Sequence, residues 1–408
     1  MRILWLKSEL LHPVDKGGKI RTYQMLRHIK RDHEVTYLSF ATECDPREAI
    51  EQASEYCHRL VTVPWREPQK KGARLYSDLA LNFFSPLPYA IEKYRSQAMR
   101  SAIERETRER RYDVVVCDFL VPSINLPPSL YRSAVLFQHN VESMIWQRHS
   151  EMQTNRIRRA FFRDQWRKMY AYERAICRRF NTVIAVSQVD REQMREAFGL
   201  QEIYDVPTGV DTDYFRPLGG SSVTSELVFT GSMDWMPNED AICYFTEKIL
   251  PLVAREVPDV RLTVVGRNPS PSLVALAQSD ERIKVTGRVK DIRPYVDRAA
   301  AYVVPMRIGG GTRLKIYEAM AMEKPVISTS VGAEGLPVRN GEELLIADDV
   351  KSFARDVVRV LKDARLAKAL GRRAGALVRE RFGWDRAAAR FIEVCERAAG
   401  RRARRRAA

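Results

Sequence analysis

The sequence predicts an α/β protein built from two doubly wound parallel sheets. In each half of the chain, short apolar runs typical of buried strands alternate with stretches of helical periodicity. A glycine-rich turn joins a strand to a helix once in each half, at Gly17-Gly18 and again at residues 309–311. The length of 408 residues suits about two domains. Such alternation is typical of parallel sheets that carry helices on both faces.

The composition indicates a globular protein with an anionic partner. Hydrophobic residues make up 45% of the chain and charged residues 29%, which excludes a disordered protein. The formal net charge of +16 favours nucleic acid, an acidic substrate or anionic lipid. The chain lacks an apolar run of about 18 residues, so no membrane-spanning helix is expected. Six scattered cysteines without a CxxC pair favour reduced thiols in the cytoplasm.

In the first half, strands are predicted at residues 2–6, 35–40, 59–63, 112–118, 134–140 and 182–187. Gly17 and Gly18 allow the backbone to approach a ligand closely, although an ordinary turn fits them equally well. Residues 65–111 mix aromatic and cationic side chains. For them, a helix packed on the sheet is favoured over a membrane surface.

Two of these predicted strands end in polar residues. Asp118 closes one strand, and His139 lies at the end of the next. Ligands of open α/β sheets bind beyond the carboxyl ends of the strands, so both side chains are candidates for catalysis. A structural role is equally compatible with each. His139 is the favoured catalytic residue, because Asp118 could instead cap a neighbouring loop.

A long basic helix is predicted at residues 148–180. Aromatic and aliphatic residues supply one apolar face, and eight cations cover the rest: Arg156, Arg158, Arg159, Arg163, Arg167, Lys168, Arg178 and Arg179. A solvated basic face explains this pattern. Attachment to an anionic surface or acceptor explains it as well.

Proline, glycine and aspartate between residues 206 and 217 mark a crossing between domains. We therefore expect one domain at residues 1–215 and a second at 216–385. A helix at 386–408 should pack on the first domain and end in a disordered basic tail. Asp211 and Asp213 lie in the crossing without an evident third ligand, so a metal site is not expected there. Strands of the second domain are predicted near residues 227–231, 260–266, 283–289, 301–305 and 325–329.

The second glycine-rich turn predicts an anion site. It lies between an apolar strand and a helix, where backbone N–H groups and the helix dipole attract negative charge. Thr312 is the expected N-cap. Arg313 and Lys315 are cations in a first turn that disfavours them, which indicates a bound diphosphate. Glu318 suits a ribose diol. A solvated basic turn is the alternative.

Five stretches resemble the family 4 retaining glycosyltransferases, which have the GT-B fold of two Rossmann-like domains facing across a cleft. Residues 206–215 resemble the family's P-N-G-V-D-x-x-x-F crossing, and residues 229–232 its opening strand of the donor domain. Residues 264–266 and 286–289 match its G…G-x-V rhythm. Residues 318–327 match E-A-M-A-x-x-x-P-V-I.

The resemblance implies roles for particular residues. Glu318 would hold the donor ribose, and the backbone near Arg288 and Val289 would read the base. Gly17 and Gly18 would approach the donor diphosphate or the acceptor. The partners would be a nucleotide diphosphate sugar and a lipid-linked or polysaccharide acceptor of cell-surface glycan synthesis. Transfer would need neither metal nor cofactor, in the cytoplasm or on the inner, anionic face of the membrane.

The chain departs from the family pattern at Thr208, where the crossing commonly has asparagine, and at three positions of the binding and catalytic motifs. Gly310 replaces the first glutamate of E-x7-E, Asn238 lies near the place of the usual lysine, and Asp118 occupies the position of a frequent catalytic histidine. Arg313 and Lys315 are therefore expected to take over diphosphate binding. Gly311 and Thr312 of the same glycine-rich turn are further candidates for donor binding.

Two alternatives remain at this point. A GT-B sugar-nucleotide epimerase would need acid and base carboxylates, against which Gly310 argues. A basic nucleic-acid-binding protein fits the charge, but no aromatic-basic RNA motif appears, so no specific nucleic acid is expected.

Overall fold

The computed structural model describes residues 1–68, 72–220, 223–308 and 314–407, with side chains up to residue 400. The chain divides into two compact units, Met1–Thr208 with Trp384–Ala408, and Gly209–Gly383. These limits differ from the expected boundaries after residues 215 and 385. The crossing segment belongs to the second unit because Val210 donates its N–H to the carbonyl of Phe382 and pairs with Gly383.

The first unit alternates strands and helices. Its strands are β1 (Arg2–Leu6), β2 (Glu34–Ala41), β3 (Arg59–Pro64), β4 (Val114–Asp118), β5 (Ala134–Phe137), β6 (Thr182–Ala185) and β7 (Ile203–Asp205). Its helices before the crossing are α1 (Gly17–Ile29), α2 (Arg47–Glu51), α3 (Ala73–Asn82), α4 (Tyr89–Glu92), α5 (Gln97–Glu109), α6 (Glu142–Met152), α7 (Arg156–Cys177) and α8 (Gln188–Phe198).

The second unit repeats the alternation. Its strands are β8 (Val223–Thr230), β9 (Arg261–Val265), β10 (Ile283–Val285), β11 (Ala299–Val304), β12 (Val326–Ser328) and β13 (Leu345–Ile346). Its helices are α9 (Met236–Tyr244), α10 (Leu250–Glu256), α11 (Pro271–Ser279), α12 (Arg293–Arg298), α13 (Leu314–Ala321), α14 (Val350–Lys362) and α15 (Ala364–Arg381). The last helix, α16 (Trp384–Ala407), returns to the first unit.

Both sheets are parallel throughout the described residues. The strand order is β3-β2-β1-β4-β5-β6-β7 in the first unit and β10-β9-β8-β11-β12-β13 in the second. The order reverses direction between β1 and β4 and between β8 and β11. Ligands of doubly wound sheets bind at such a reversal, beyond the carboxyl ends of the strands. The predicted class, two Rossmann-like α/β domains, is confirmed.

Helix α16 covers part of the first sheet. The ring of Phe391 lies 5.2 Å from that of Trp5 on β1 and 5.0 Å from that of Phe137 on β5, measured between centroids. All three side chains are buried. Their packing adds to the apolar area removed from water and holds the helix on the strands next to the reversal of the first sheet.

Three sequence-based expectations fail locally. The single helix expected at 148–180 is two helices, because the Asn155 side chain accepts the backbone N–H groups of Ile157 and Arg158 and starts a new helix. The backbone of α16 remains helical to Ala407, where disorder was expected. Packing of residues 65–111 on the sheet fails for Leu81, Phe83 and Phe84, which are exposed.

Candidate active site

A buried polar cluster lies at the carboxyl edge of the first sheet, beside its reversal. Asp118, the last residue of β4, has no exposed surface. Its Oδ2 accepts hydrogen bonds from Trp5 Nε1 at 2.9 Å, Lys7 Nζ at 3.0 Å and Thr22 Oγ1 at 2.7 Å. His139 Nε2 lies 2.7 Å from the other carboxylate oxygen, Oδ1. The structure therefore brings the two predicted catalytic residues together, and it surrounds the carboxylate with donors.

The local sequence explains why these donors converge. Trp5 lies on β1, and Lys7 is the first residue after that strand. Both side chains therefore reach the neighbouring strand β4. Thr22 lies on α1, one turn after Gly18, and its hydroxyl also lies 3.0 Å from the carbonyl oxygen of Gly18. A lysine buried at the end of an apolar strand requires an opposite charge, which Asp118 supplies.

Phe119 covers this cluster. Its backbone φ is +75°, a left-handed conformation that is unfavourable for a bulky residue. Its ring lies 3.9 Å from the imidazole of His139 between centroids, and Lys7 Nζ lies 4.3 Å from the ring centroid. A Cβ atom at Gly18 would come within 3.0 Å of the same ring, so the glycine permits this approach. Gly17 is exposed at the first turn of α1.

At neutral pH, Asp118 is ionised and His139 is neutral. Burial alone would raise the pKa of Asp118, but Lys7 and His139 outweigh it and hold that pKa well below its usual range. Burial lowers the pKa of His139 to about 3, although Asp118 acts in the opposite direction. The neutral imidazole therefore has its Nε2 atom 2.7 Å from a carboxylate that Lys7 already neutralises.

This arrangement predicts an acid-sensitive first unit. The pKa of His139 falls from 6.5 in the unfolded chain to about 3 in the folded one, so the unfolded chain binds the proton first. The stability that His139 contributes is fully present above pH 6.5 and is lost as the pH falls toward about 3. The unfolding free energy of the wild type should therefore fall between about pH 7 and pH 5. That of the His139→Gln variant should fall by about 2 kcal/mol less.

Urea unfolding at the two pH values measures this difference. Lowering the pH also titrates other groups, but they are common to both proteins and cancel in the comparison. Parallel pH profiles for the wild type and His139→Gln would contradict the prediction.

A second cluster lies at the carboxyl edge of the second sheet, where β8 and β11 adjoin. Lys315, the second residue of α13, donates from Nζ to Asn238 Oδ1 at 2.8 Å. The same ammonium lies 3.9 Å from the ring centroid of Phe229 on β8. A Cβ atom at Gly231 would lie 2.7 Å from Asn238 Nδ2 and 3.0 Å from Lys315 Nζ, so glycine is required here. A cation is thus fixed at the reversal of this sheet.

Glu318 follows Lys315 by almost one turn of α13 and is half-buried. Burial raises the pKa of its carboxyl to about 7, and Lys315 acts against this rise. The nearby Tyr302 is held by Thr230, whose Oγ1 lies 2.5 Å from the phenol oxygen. This part of the edge therefore carries a hydrogen-bonding carboxyl group beside a cation, which suits a hydroxylated ligand with negative charge.

The remaining predicted donor residues lie at the same edge or outside the described residues. Arg288 is exposed and Val289 half-buried in the segment after β10, which begins with Gly287 at a φ of +68°. Gly266, after β9, allows a close approach, because a Cβ atom there would lie 1.7 Å from the carbonyl oxygen of Gly231. Gly311, Thr312 and Arg313 fall outside the described residues.

Two protein-family models match the chain. Residues 16–214 match Glycosyltransferase Family 4, and residues 224–363 match Glycosyl transferases group 1. The two matches together take in most of both units. They include Asp118, His139, Asn238 and Lys315, whereas Trp5 and Lys7 lie before the first match. The protein is a glycosyltransferase of the group 1, family 4 type. The family inferred from the sequence motifs is confirmed.

Two bacterial relatives are similar to this glycosyltransferase in sequence. A Klebsiella pneumoniae protein, described as an uncharacterized 44.6 kDa protein in cps region, is 22% identical over 93% of this chain and 96% of its own. The phosphatidyl-myo-inositol mannosyltransferase of Mycobacterium leprae is 28% identical over 52% of this chain and 58% of its own. The match to the mannosyltransferase thus spans little more than half of that protein.

Solved structures share the fold over nearly the whole glycosyltransferase. Sucrose-phosphate synthase from Thermosynechococcus elongatus superimposes with a TM-score of 0.70 at 15% identity, covering 97% of this chain and 98% of its own. Anabaena Alr3699/HepE in complex with UDP gives 0.66 at 14% identity, covering 97% and 100%. At such identities the likeness concerns the fold.

No group of three or more histidine, cysteine, aspartate or glutamate side chains is arranged to hold a metal ion in the described part of the glycosyltransferase. Asp211, of the rejected Asp-x-Asp pair, accepts the backbone N–H of Tyr214 at 2.9 Å and so stabilises a turn. The absence of a metal requirement itself stays a prediction.

Sequence reasoning missed four residues of these clusters. Trp5, Lys7, Thr22 and Phe119 build the environment of Asp118 and His139, and none was a candidate. Lys7 carried a usable signal, because a lysine directly after an apolar strand stands at the carboxyl edge of the sheet. The residues of the second cluster were better predicted, because Lys315 and Glu318 were both candidates and lie together on α13. Their contact with Asn238 was not predicted.

Proposed function

We propose that this glycosyltransferase moves a sugar from a nucleotide diphosphate sugar, with retention of configuration, to a lipid-linked or polysaccharide acceptor of cell-surface glycan synthesis. The observation that carries the donor assignment is the pair on α13, the Lys315 ammonium and the Glu318 carboxyl, at the reversal of the second sheet. The UDP bound by Alr3699/HepE and the lipid named in the Mycobacterium leprae relative support the two substrate classes.

The chemistry requires charge to be stabilised on the leaving group. The bond from the anomeric carbon to the β-phosphate oxygen breaks, and a bond to the acceptor oxygen forms on the same face. The acceptor proton passes to the departing diphosphate. Lys315, with Arg313 two residues before it in the sequence, would offset the developing negative charge without a metal ion. Glu318 would accept the ribose hydroxyls, and the segment at Arg288 and Val289 would contact the base.

In the first unit, we assign the predicted catalytic pair a positioning role. Neither Asp118 nor His139 is open to solvent, since their exposed fractions are 0% and 1%. Both support Phe119, which lies against Gly18 at the start of α1. The pair would thereby fix the backbone of Gly17 and Gly18, which would approach the donor diphosphate or the acceptor.

Calorimetric titration with UDP, GDP and ADP, followed by turnover assays with their sugars, tests this function. We expect one nucleoside diphosphate to bind, and its sugar conjugate to release that diphosphate when acceptor lipid or glycan is added. Turnover should persist in a chelator. Lack of binding by all three nucleotides and their common sugar conjugates would refute the proposal.

We also propose that the enzyme attaches to the anionic inner face of the membrane. None of the helices within the described ranges combines the length and apolar character of a membrane span. Instead, Leu81, Phe83 and Phe84 at the end of α3 expose 71%, 65% and 86% of their surface. Lys168 of α7 donates to the backbone carbonyl of Phe83 at 3.1 Å, which joins these apolar residues to the basic helix. Exposed apolar and cationic groups together suit an anionic bilayer.

Removing the two phenylalanines should weaken this attachment. The double variant Phe83→Ser/Phe84→Ser should lower the partition coefficient onto phosphatidylglycerol-containing vesicles about tenfold or more, because each buried ring contributes about 1.5–3 kcal/mol. Ile50→Ser removes an exposed apolar residue of α2 and serves as the control. Flotation at low and high salt measures both effects. The proposal would be contradicted if the double variant bound as well as the wild type, or if the wild type bound neutral and anionic vesicles equally.

A further inference from the structure

We infer that Asn238 is a positioning residue, which holds the Lys315 ammonium where it contacts the donor diphosphate. This inference rests on the proposed function, since it assigns Lys315 to the nucleotide. The family pattern favours a lysine near position 238. In this chain the cation comes from α13, and the side chain on α9 is an amide that contacts it.

The orientation of the Asn238 amide follows from its two partners. Its Nδ2 donates to the carbonyl oxygen of Ser232 at 2.8 Å, and its Oδ1 accepts from Lys315 Nζ at 2.8 Å. The reversed amide would place two donors together at Lys315 and two acceptors together at Ser232. The carbonyl of the turn after β8 therefore fixes the amide, and the amide fixes the ammonium.

Burial makes this arrangement stiff. Asn238 exposes 3% of its surface and Phe229, beneath the ammonium, is fully buried. Lys315 itself is half-buried, so part of it faces solvent at the sheet edge. One N–H bond of the ammonium points to Asn238, and the ring of Phe229 supports its position from β8.

Two glycines allow Asn238 and Lys315 to lie this close to the ends of the neighbouring strands. Gly231 leaves room for both the amide and the ammonium, because a Cβ atom there would clash with them. Gly266 lets the end of β9 lie against the carbonyl oxygen of Gly231. The N–H of Gly231 donates to the carbonyl of Val265 at 3.0 Å, which ties the turn to β9. The anchor of the amide, Ser232, is thus part of a rigid strand end.

A flexible lysine loses much rotamer freedom when it is fixed, and fixing it before the ligand binds removes that loss from the binding step. Asn238 leaves the positive charge intact because the amide is neutral. A carboxylate at the same place would neutralise the charge instead. This difference between amide and carboxylate distinguishes positioning from simple packing.

The test is a double-mutant cycle on nucleotide affinity. The probe is whichever of UDP, GDP and ADP the wild type binds, with the corresponding nucleoside as the uncharged comparison. We expect Asn238→Ala to raise the Kd of the diphosphate about fivefold to tenfold. In a Lys315→Met background, the same change should alter that Kd less than twofold. Affinity for the nucleoside should stay the same in every variant.

Asn238→Asp provides a second variant of nearly the same shape. It should raise the Kd more than the alanine change, because its carboxylate pairs with Lys315 and repels the phosphates. Asn340→Ala, at an exposed amide that bridges to backbone groups of Ile346, is the matched control and should bind normally. Thermal unfolding confirms that each variant is folded.

Three outcomes would overturn the inference. Equal losses from Asn238→Ala in the wild-type and Lys315→Met backgrounds would show that the amide does not act through the lysine. Normal binding by Asn238→Asp would show that the pair does not touch the phosphates. A wild type that binds none of the three nucleotides would refute the proposed function, and this inference with it.

Discussion

Replacing Asp118 with asparagine is expected to lower the unfolding free energy of the first unit by about 3–5 kcal/mol. The change keeps the shape of the side chain and removes its charge. Lys7, which exposes 3% of its surface, would then be buried without a counter-charge. The amide would also present a donor to some of the groups that now donate to Asp118. A loss of this size is a large part of the stability of an ordinary domain, about 5–15 kcal/mol.

The partner of the ion pair supplies the decisive comparison. Lys7→Met combined with Asp118→Asn removes both charges, so the double variant should regain much of the loss. Urea unfolding followed by circular dichroism measures each protein, and Asp32→Asn, at an exposed aspartate of the same unit, is the control. A single Asp118→Asn variant within about 1 kcal/mol of the wild type would show that the pair does not stabilise the unit.

Turnover of the folded Asp118→Asn protein tests the positioning role separately. If the cluster only stabilises the unit, the folded enzyme should turn over normally. We expect a lower kcat with little change in donor affinity, because Phe119 and the adjoining Gly18 would lose their support.

The alternation of strands and helices could be predicted because its signal is strong at the centre of each sheet. Strands such as β1 and β4 are continuous apolar runs, as strands buried on both faces must be. The short edge strands β7 and β13 escaped prediction. They contain three and two residues, too few for periodicity to distinguish them from turns.

The sequence could predict where the candidate site residues lie in the sheet, but not which side chains surround them. Position at a strand end identified Asp118 and His139, because topology alone brings carboxyl ends to one edge. Their burial beneath Phe119 depends on a left-handed backbone at a bulky residue, which no propensity predicts. Likewise, Asn238 and Lys315 are 77 residues apart in sequence, and only the close approach at Gly231 makes them partners.

Replacing Lys315 with alanine is expected to reduce kcat by about 100-fold to 1,000-fold, the usual effect of removing a group that stabilises charge on a departing oxygen. The ammonium already stands at the reversal of the second sheet, so it needs no rearrangement when charge develops. Nucleotide affinity should fall as well, by about 1.5–3 kcal/mol, since the contact is made to a charged group in the ground state too. The loss in kcat/KM should therefore exceed the loss in affinity.

Lys351→Ala is the matched control for this experiment. Lys351 is the second residue of α14, as Lys315 is of α13, but it is exposed in a helix whose first turn is capped by Asp349. The control should keep both turnover and affinity, because a solvated lysine at a capped helix start contacts no substrate. Steady-state kinetics and calorimetric titration on the three proteins decide the matter. A Lys315→Ala enzyme with turnover within threefold or so of the wild type would remove this lysine from the transfer step, since such a change is below about 1 kcal/mol of barrier.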